Sequence, residues 1–132
     1  MRIFIDTSAF YALLDRDDAN NQKAMNVWTY LLGAEYTLVT SNYILVEAFA
    51  LMQNRLGPAA VRGFQEDILP LITLEFVSPE MHRSGIAALL SASRRSLSLV
   101  DYISFELMRS SGIKSVFAFN KHFREQGFVI MS

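Results

Sequence analysis

The chain has 132 residues, with 12 Lys and Arg against 13 Asp and Glu, no cysteine, and 52% hydrophobic residues. That length and apolar content fit one domain over residues 1–132 and exclude a disordered chain, while the missing cysteines exclude a disulfide scaffold or a thiolate zinc site. No apolar run approaches the ~20 residues of a membrane span, and Asp6 interrupts the N-terminal run too early for a signal peptide. The expectation is therefore a cytoplasmic protein with no membrane partner.

In chain order, Ile3-Phe4-Ile5 reads as a buried strand, a short apolar run without alternation. Asp18 is placed to cap a helix reaching about Leu32, with Ala24, Val27, Trp28 and Leu31 on one face. Leu38-Val39-Thr40 reads as a second strand. Ser41 or Asn42 then opens a helix carrying Leu45, Phe49, Met52 and Leu56, stopped by Gly57-Pro58. A further helix is expected from Gly57 to Leu69, a strand over Leu74–Val77, and a helix from Pro79 to Ser91. The next helix starts near Ser98 and ends at Gly112 as its C-cap. Val116–Phe119 and Phe128–Met131 complete the strands. Alternation of this kind predicts a three-layer α/β/α sandwich around a mostly parallel sheet. The charge is uneven: five basic and ten acidic residues precede Met81, and seven basic and three acidic lie from there onward. A globally basic nucleic-acid footprint is absent, but a local one around Arg94, Arg95, Lys121 and Arg124 is open.

Ligands of parallel sheets bind outside the carboxyl ends of the strands. Asp6-Thr7-Ser8 follows the first strand directly and Asn120 follows Val116–Phe119, so both should meet at that edge. Taken alone, either reads equally well as a helix cap. Two helix-borne acids shift the balance. Glu47 has only Tyr43, Ile44, Ala50 and Leu51 as its helical neighbours, and Asp101 has Leu97, Ser98, Ser104 and Phe105. Neither finds a local cation. A partly buried carboxylate costs several kcal/mol unless it is paired or binds a metal. Three such acids point to a shared cation, and an oxygen-only donor set suits Mg²⁺ or Mn²⁺. Direct ligation would bring each carboxylate within roughly 2–2.6 Å of that ion.

Asp6-Thr7-Ser8 after an apolar strand, Glu47 within Asn42–Ala50, Leu97-Ser98-Leu99-Val100-Asp101, and Val116–Phe123 followed by Gly127-Phe128 together resemble the PIN-domain nucleases. The likeness covers nearly the whole chain and is nearest to VapC-like toxins of type II toxin–antitoxin modules. It implies a compact α/β/α fold and metal-dependent cleavage of RNA phosphodiesters. It also implies an antitoxin partner and homodimers. Asp6, Glu47 and Asp101 match three acids of the family's metal cluster. Asn120 stands where a fourth acid is usual, which removes one negative charge and puts a second metal in doubt. Thr7 matches a hydroxyl-bearing position that orients water or phosphate, though helix N-capping explains it as well. Arg94 and Arg95 are candidates to hold the RNA backbone; a solvated face is the plainer reading. Neither His82 nor His122 is expected to be catalytic.

Three other readings compete. Haloacid-dehalogenase-like phosphatases also place an Asp after the first strand, but Ser8 stands where they carry a second Asp. A receiver domain does not account for Glu47 and Asp101 on helices. The remaining rival is a PIN domain weakened by Asn120 that binds RNA or protein without cutting. The 10 Phe, 5 Tyr and 6 Met exceed what a small core obviously needs, which supports self-association through exposed apolar surface.

Overall fold

The computed structural model describes every residue from Met1 to Ser132. Strand β1 (Arg2–Ile5) is followed by α1 (Thr7–Leu14), α2 (Asn21–Gly33), β2 (Thr37–Ser41), α3 (Asn42–Arg55) and α4 (Pro58–Gly63). A π turn (Phe64–Ile68) and a 3-10 turn (Leu69–Leu71) lead into β3 (Thr73–Glu75). Then come α5 (Pro79–Ala92), α6 (Leu99–Ser111), β4 (Ser115–Phe117), α7 (His122–Glu125) and β5 (Val129–Met131).

All strand pairs are parallel, in the order β3-β2-β1-β4-β5, and Phe4 lies opposite both Val39 and Val116. Central β1 is covered on both faces, with Ile3, Phe4 and Ile5 fully buried, which is why it reads as an unbroken apolar run. The chain builds outward from β1 to β2 and β3, then returns to the other side of β1 for β4 and β5. Right-handed crossovers in opposite directions put their helices on opposite faces, giving the three layers. The order reverses between β1 and β4, and the crevice at such a switch point is where ligands enter.

Local chemistry sets the ends. Ser41, Ser78 and Ser98 each accept a backbone N–H as helix caps, and Gly112 closes α6 at φ 69°, a left-handed conformation that suits glycine. Gly85 serves another purpose: a Cβ there would lie 2.3 Å from Ile103 Cδ1, so where α5 and α6 cross a larger residue would force the Ile103 side chain to move.

Four expectations change. Asp18 does not cap α2; its carboxylate accepts from Asn20 N at 2.9 Å, and the helix begins after Asn20. The helix expected over Gly57–Leu69 breaks into α4, the π turn and the 3-10 turn. Phe64 is wedged there, fully buried, with Phe10 and Phe49 edge-on at 5.0 and 5.1 Å, and Pro70 cannot supply the N–H that a continuing helix requires. Strand β4 stops at Phe117 because Phe119 N turns out of the ladder to Ser8 Oγ at 2.9 Å. Finally, the phenylalanines go inside. Six are fully buried and only Phe76 is strongly exposed, at 73%, so aromatic content by itself gives no ground for self-association.

Candidate active site

At the carboxyl end of β1, Asp6 terminates the strand and caps α1. Its Oδ2 accepts from Ser8 N at 3.1 Å and from Ser8 Oγ at 2.6 Å, leaving Oδ1 without a protein partner. Ser8 Oγ also accepts from Phe119 N, so one hydroxyl ties the ends of β1 and β4 together. Asp6 is 5% exposed and has no Lys, Arg or His within ion-pairing distance. Burial pushes its carboxyl up to about 6 from the usual 3.8; the Ser8 hydrogen bonds oppose this, and the charges of Asp101 and Glu47 add to it. Burial, rather than the crowding of like charges, is the main cause.

The neighbouring Thr7 is not the cap, since Asp6 is. Its hydroxyl is buried without any hydrogen-bond partner and belongs to the lining of the same cavity. On α6, Asp101 closes a capping box with Ser98: Asp101 N donates to Ser98 Oγ at 3.2 Å, and Asp101 Oδ2 accepts from Ser98 N at 3.0 Å. Its Oδ1 faces Asn120 Nδ2 at 3.5 Å. Asn120 Oδ1 in turn accepts from His122 N at 3.0 Å, which fixes the orientation of the amide. Asn120 thus presents a donor, not an oxygen, to Asp101.

Asp6, Thr7, Glu47, Asp101 and Asn120 line one cavity of about 780 Å³, together with Ser8, Ser98 and the Ala50, Leu51, Asn54 and Arg55 side of α3. All five residues expected at the site therefore converge at the switch point. Their grouping is looser than expected. No three Asp, Glu or His side chains stand close enough to grip one ion between them, and Asp6 and Asp101 each commit one oxygen to a local cap. The donor set nevertheless fits a hard divalent cation. It is all oxygen, it includes a buried carboxylate with no cation, and the Thr7 hydroxyl is unpartnered.

Arg94 and Arg95 are not among the lining residues. Both are exposed in the segment between α5 and α6, and Arg94 lies 3.7 Å from Glu125. The cation that does line the cavity is Arg55, missed because nothing in a single helix marks its C-terminal arginine as facing a distant strand end. Ser8 was missed for the same reason: its partner Phe119 is 111 residues away. His122 pairs with Glu125 at 2.5 Å and His82 bonds Tyr43, and neither lines the cavity.

The sequence profile of the PIN domain matches residues 3–129. The chain belongs to the PIN-domain family. This PIN domain is 32% identical to the 23S rRNA-specific endonuclease VapC20 of Mycobacterium tuberculosis, over 96% of the chain and 95% of that relative. The crystal structure of VapC20, described as a sarcin–ricin loop cleaving toxin, superposes with a TM-score of 0.84 at 30% identity over 96% of each chain. Two more distant structures share the fold of this PIN domain. FitAcB from Neisseria gonorrhoeae has a TM-score of 0.70 at 12% identity over 100% of this chain and 97% of that one. VapBC2 from Rickettsia felis, bound to a DNA fragment from its promoter, gives 0.73 at 10% identity over 98% and 97%. The strand order also differs from the 2-1-3-4-5 arrangement of a receiver-like sheet.

Proposed function

We propose that this PIN domain is a divalent-metal-dependent endoribonuclease, the toxin of a toxin–antitoxin pair, acting in the cytoplasm on ribosomal RNA. The observation that carries the reading is Asp6: a carboxylate 5% exposed, without a cation, sharing a switch-point cavity with Glu47 and Asp101. The likeness to VapC20 supplies the substrate class. Mg²⁺ or Mn²⁺ bound there would activate water and neutralise charge on the phosphoryl oxygens. Asp6 Oδ1 and the Asp101 carboxylate are the principal holders, and Glu47 holds or orients from α3. Ser8 and Ser98 fix the other oxygens of those two aspartates, so neither must be ordered when the ion arrives. The Thr7 hydroxyl, buried without a partner beside the cavity, would donate to a phosphate oxygen only after its neighbours shift to uncover it. Outside the cavity, Arg95 is exposed and available to the RNA backbone, whereas Arg94 is drawn toward Glu125.

An apolar cleft formed by Tyr43, Val46 and Val100 adjoins Glu47, and Val46 is 71% exposed. This supports docking of an antitoxin segment beside the active site. Exposed Phe76 and Leu90 support pairing of two copies.

A second reading is favoured by one observation. The Asn120 amide, turned toward Asp101 in place of an acid, lowers the negative charge available to a cation. On this reading the domain binds RNA and cuts poorly. The separating experiment incubates purified protein with an RNA stem–loop of sarcin–ricin sequence in Mn²⁺ or Mg²⁺. The nuclease reading predicts cleavage that EDTA stops and that Asp6→Asn abolishes. Binding without cleavage selects the second reading, and neither binding nor cleavage overturns both.

A further inference from the structure

Helix α3 sends a continuous stripe into the cavity: Glu47, Ala50, Leu51, Asn54 and Arg55, spaced as one helical face. At 1.5 Å per residue, Arg55 lies about 12 Å along the axis from Glu47. The stripe thus runs from a carboxylate, over a methyl and an isobutyl group, to a guanidinium. Three carboxylates at one end of a cavity repel a polyanion, and Arg55 is the single Lys, Arg or His side chain in its lining.

Arg55 is also unspent. No carboxylate lies within 4.0 Å of its guanidinium, while the other cations near the site are engaged or outside: Arg94 faces Glu125, and Arg95 and Lys121 do not line the cavity. Its position is nonetheless fixed. The guanidinium sits 5.5 Å from the centroid of the Tyr11 ring, and Tyr11 Oη donates to Asp15 at 2.7 Å, holding that ring in place. A cation at a helix C-terminus also interacts with the helix dipole, but lysine would serve that purpose equally. A planar fork laid over an aromatic ring and paired with no carboxylate suits a phosphate.

We infer that Arg55 binds a backbone phosphate of the RNA strand flanking the scissile one, with Ala50 and Leu51 beneath the nucleotide between them. This rests on the nuclease reading above and assigns the direction in which the substrate leaves the acidic centre: along α3 toward its C-terminus.

The test is steady-state cleavage of the same RNA stem–loop in Mn²⁺ by wild type, Arg55→Ala and Arg55→Lys over a range of monovalent salt, with thermal melts to verify folding. Arg55→Ala raises KM about tenfold and leaves kcat within about twofold, as expected for the loss of one charge-assisted phosphate contact. The slope of log kcat/KM against log salt becomes shallower by about 0.7, the value for one phosphate on a single strand. Arg55→Lys, which keeps the charge but not the fork, retains the slope and falls between the two in KM. Unchanged KM and slope in folded Arg55→Ala overturn the inference while leaving the nuclease reading intact. A fall in kcat equal to the rise in KM also overturns it, since Arg55 then acts on the chemistry or the fold. If Arg55→Ala does not fold, the lysine variant decides: a wild-type KM overturns the inference, and a raised KM with a wild-type slope sustains it. Absence of any cleavage by wild type removes the nuclease reading and, with it, this inference.

Discussion

Asp6 and Asp101 are both aspartates at the start of a helix, in one cavity, and their surroundings give them different standing. Asp101, half-buried at the third position of α6, has a sufficient structural reason to be there: it completes a capping box with Ser98. Asp6 also caps its helix, but it does so at 5% exposure at the end of the central strand of the sheet. A serine or asparagine could cap α1 without placing a charge in that position. The carboxyl pushed up to about 6 corresponds to about 3 kcal/mol working against the ionised, folded form. A cap that opposes stability at neutral pH is what the proposed cation-holding role of Asp6 would account for.

The largest expected effect follows from the sign of that shift. The folded state favours protonated Asp6, so the stabilising contribution is complete below pH 4 and is lost as pH rises through about 6. Metal-free wild type should therefore be less stable at pH 7.5 than at pH 4 by about 2–3 kcal/mol from this group, about half of it already lost by pH 5 because the unfolded carboxyl ionises near 3.8. Asp6→Asn should remove that component, which urea melts at the two pH values would show. Ser8→Ala comes next. It strips both hydrogen bonds donated by Ser8 Oγ and Phe119 N, leaves Phe119 N unpaired, and should cost about 1–3 kcal/mol at pH 5. At Asp101 the comparison is sharpest. Asp101→Ala loses half of the capping box and should lower stability by about 1 kcal/mol at pH 5, where Asp6 is protonated and its charge does not intrude. An Asp101→Ala variant as stable as wild type would mean that the two aspartates do not divide in this way.

The smallest effect on stability is expected at Asn120. Asn120→Asp brings a second carboxylate to a position where the amide now sits 3.5 Å from Asp101 Oδ1. Without metal it should destabilise by about 1 kcal/mol or less, the scale of like charges near 4 Å in a well-solvated setting. With Mn²⁺ it should bind the ion more tightly and raise cleavage, measured by calorimetry and by the RNA assay. Unchanged affinity and rate would remove position 120 from the metal site.

The parts legible in the sequence were those whose signal is local. Ile3–Ile5, Leu38–Thr40 and Val116–Phe117 announce themselves because strands covered on both faces need no polar side. Asp6 and Asn120 could be placed at one edge because each follows such a strand. Helix α1 carried a weak signal: Thr7–Leu14 is eight residues without a charge, so its buried Ala9, Phe10, Ala12 and Leu13, although at helical spacing, stand against only Ser8, Tyr11 and Leu14 rather than a charged face. The break at Phe64 was hidden for a tertiary reason, since Phe10 and Phe49 that hold it come from other helices. The site divides the same way. Its acids were visible as acids without local partners. The tie from Ser8 to Phe119, the reversed Asn120 amide and the presence of Arg55 in the cavity depend on contacts that only the folded chain creates.

The most direct measurement of whether Asp6 is held for a cation is the melting temperature of wild type and Asp6→Asn at pH 7.5, with and without millimolar Mn²⁺. Binding to the native state alone raises the melting point. Asp6→Asn should melt higher than wild type in the absence of metal, and Mn²⁺ should raise wild type while leaving Asp6→Asn unmoved. Equal responses of the two proteins to Mn²⁺, or a wild type indifferent to it, would contradict the metal-holding role of Asp6.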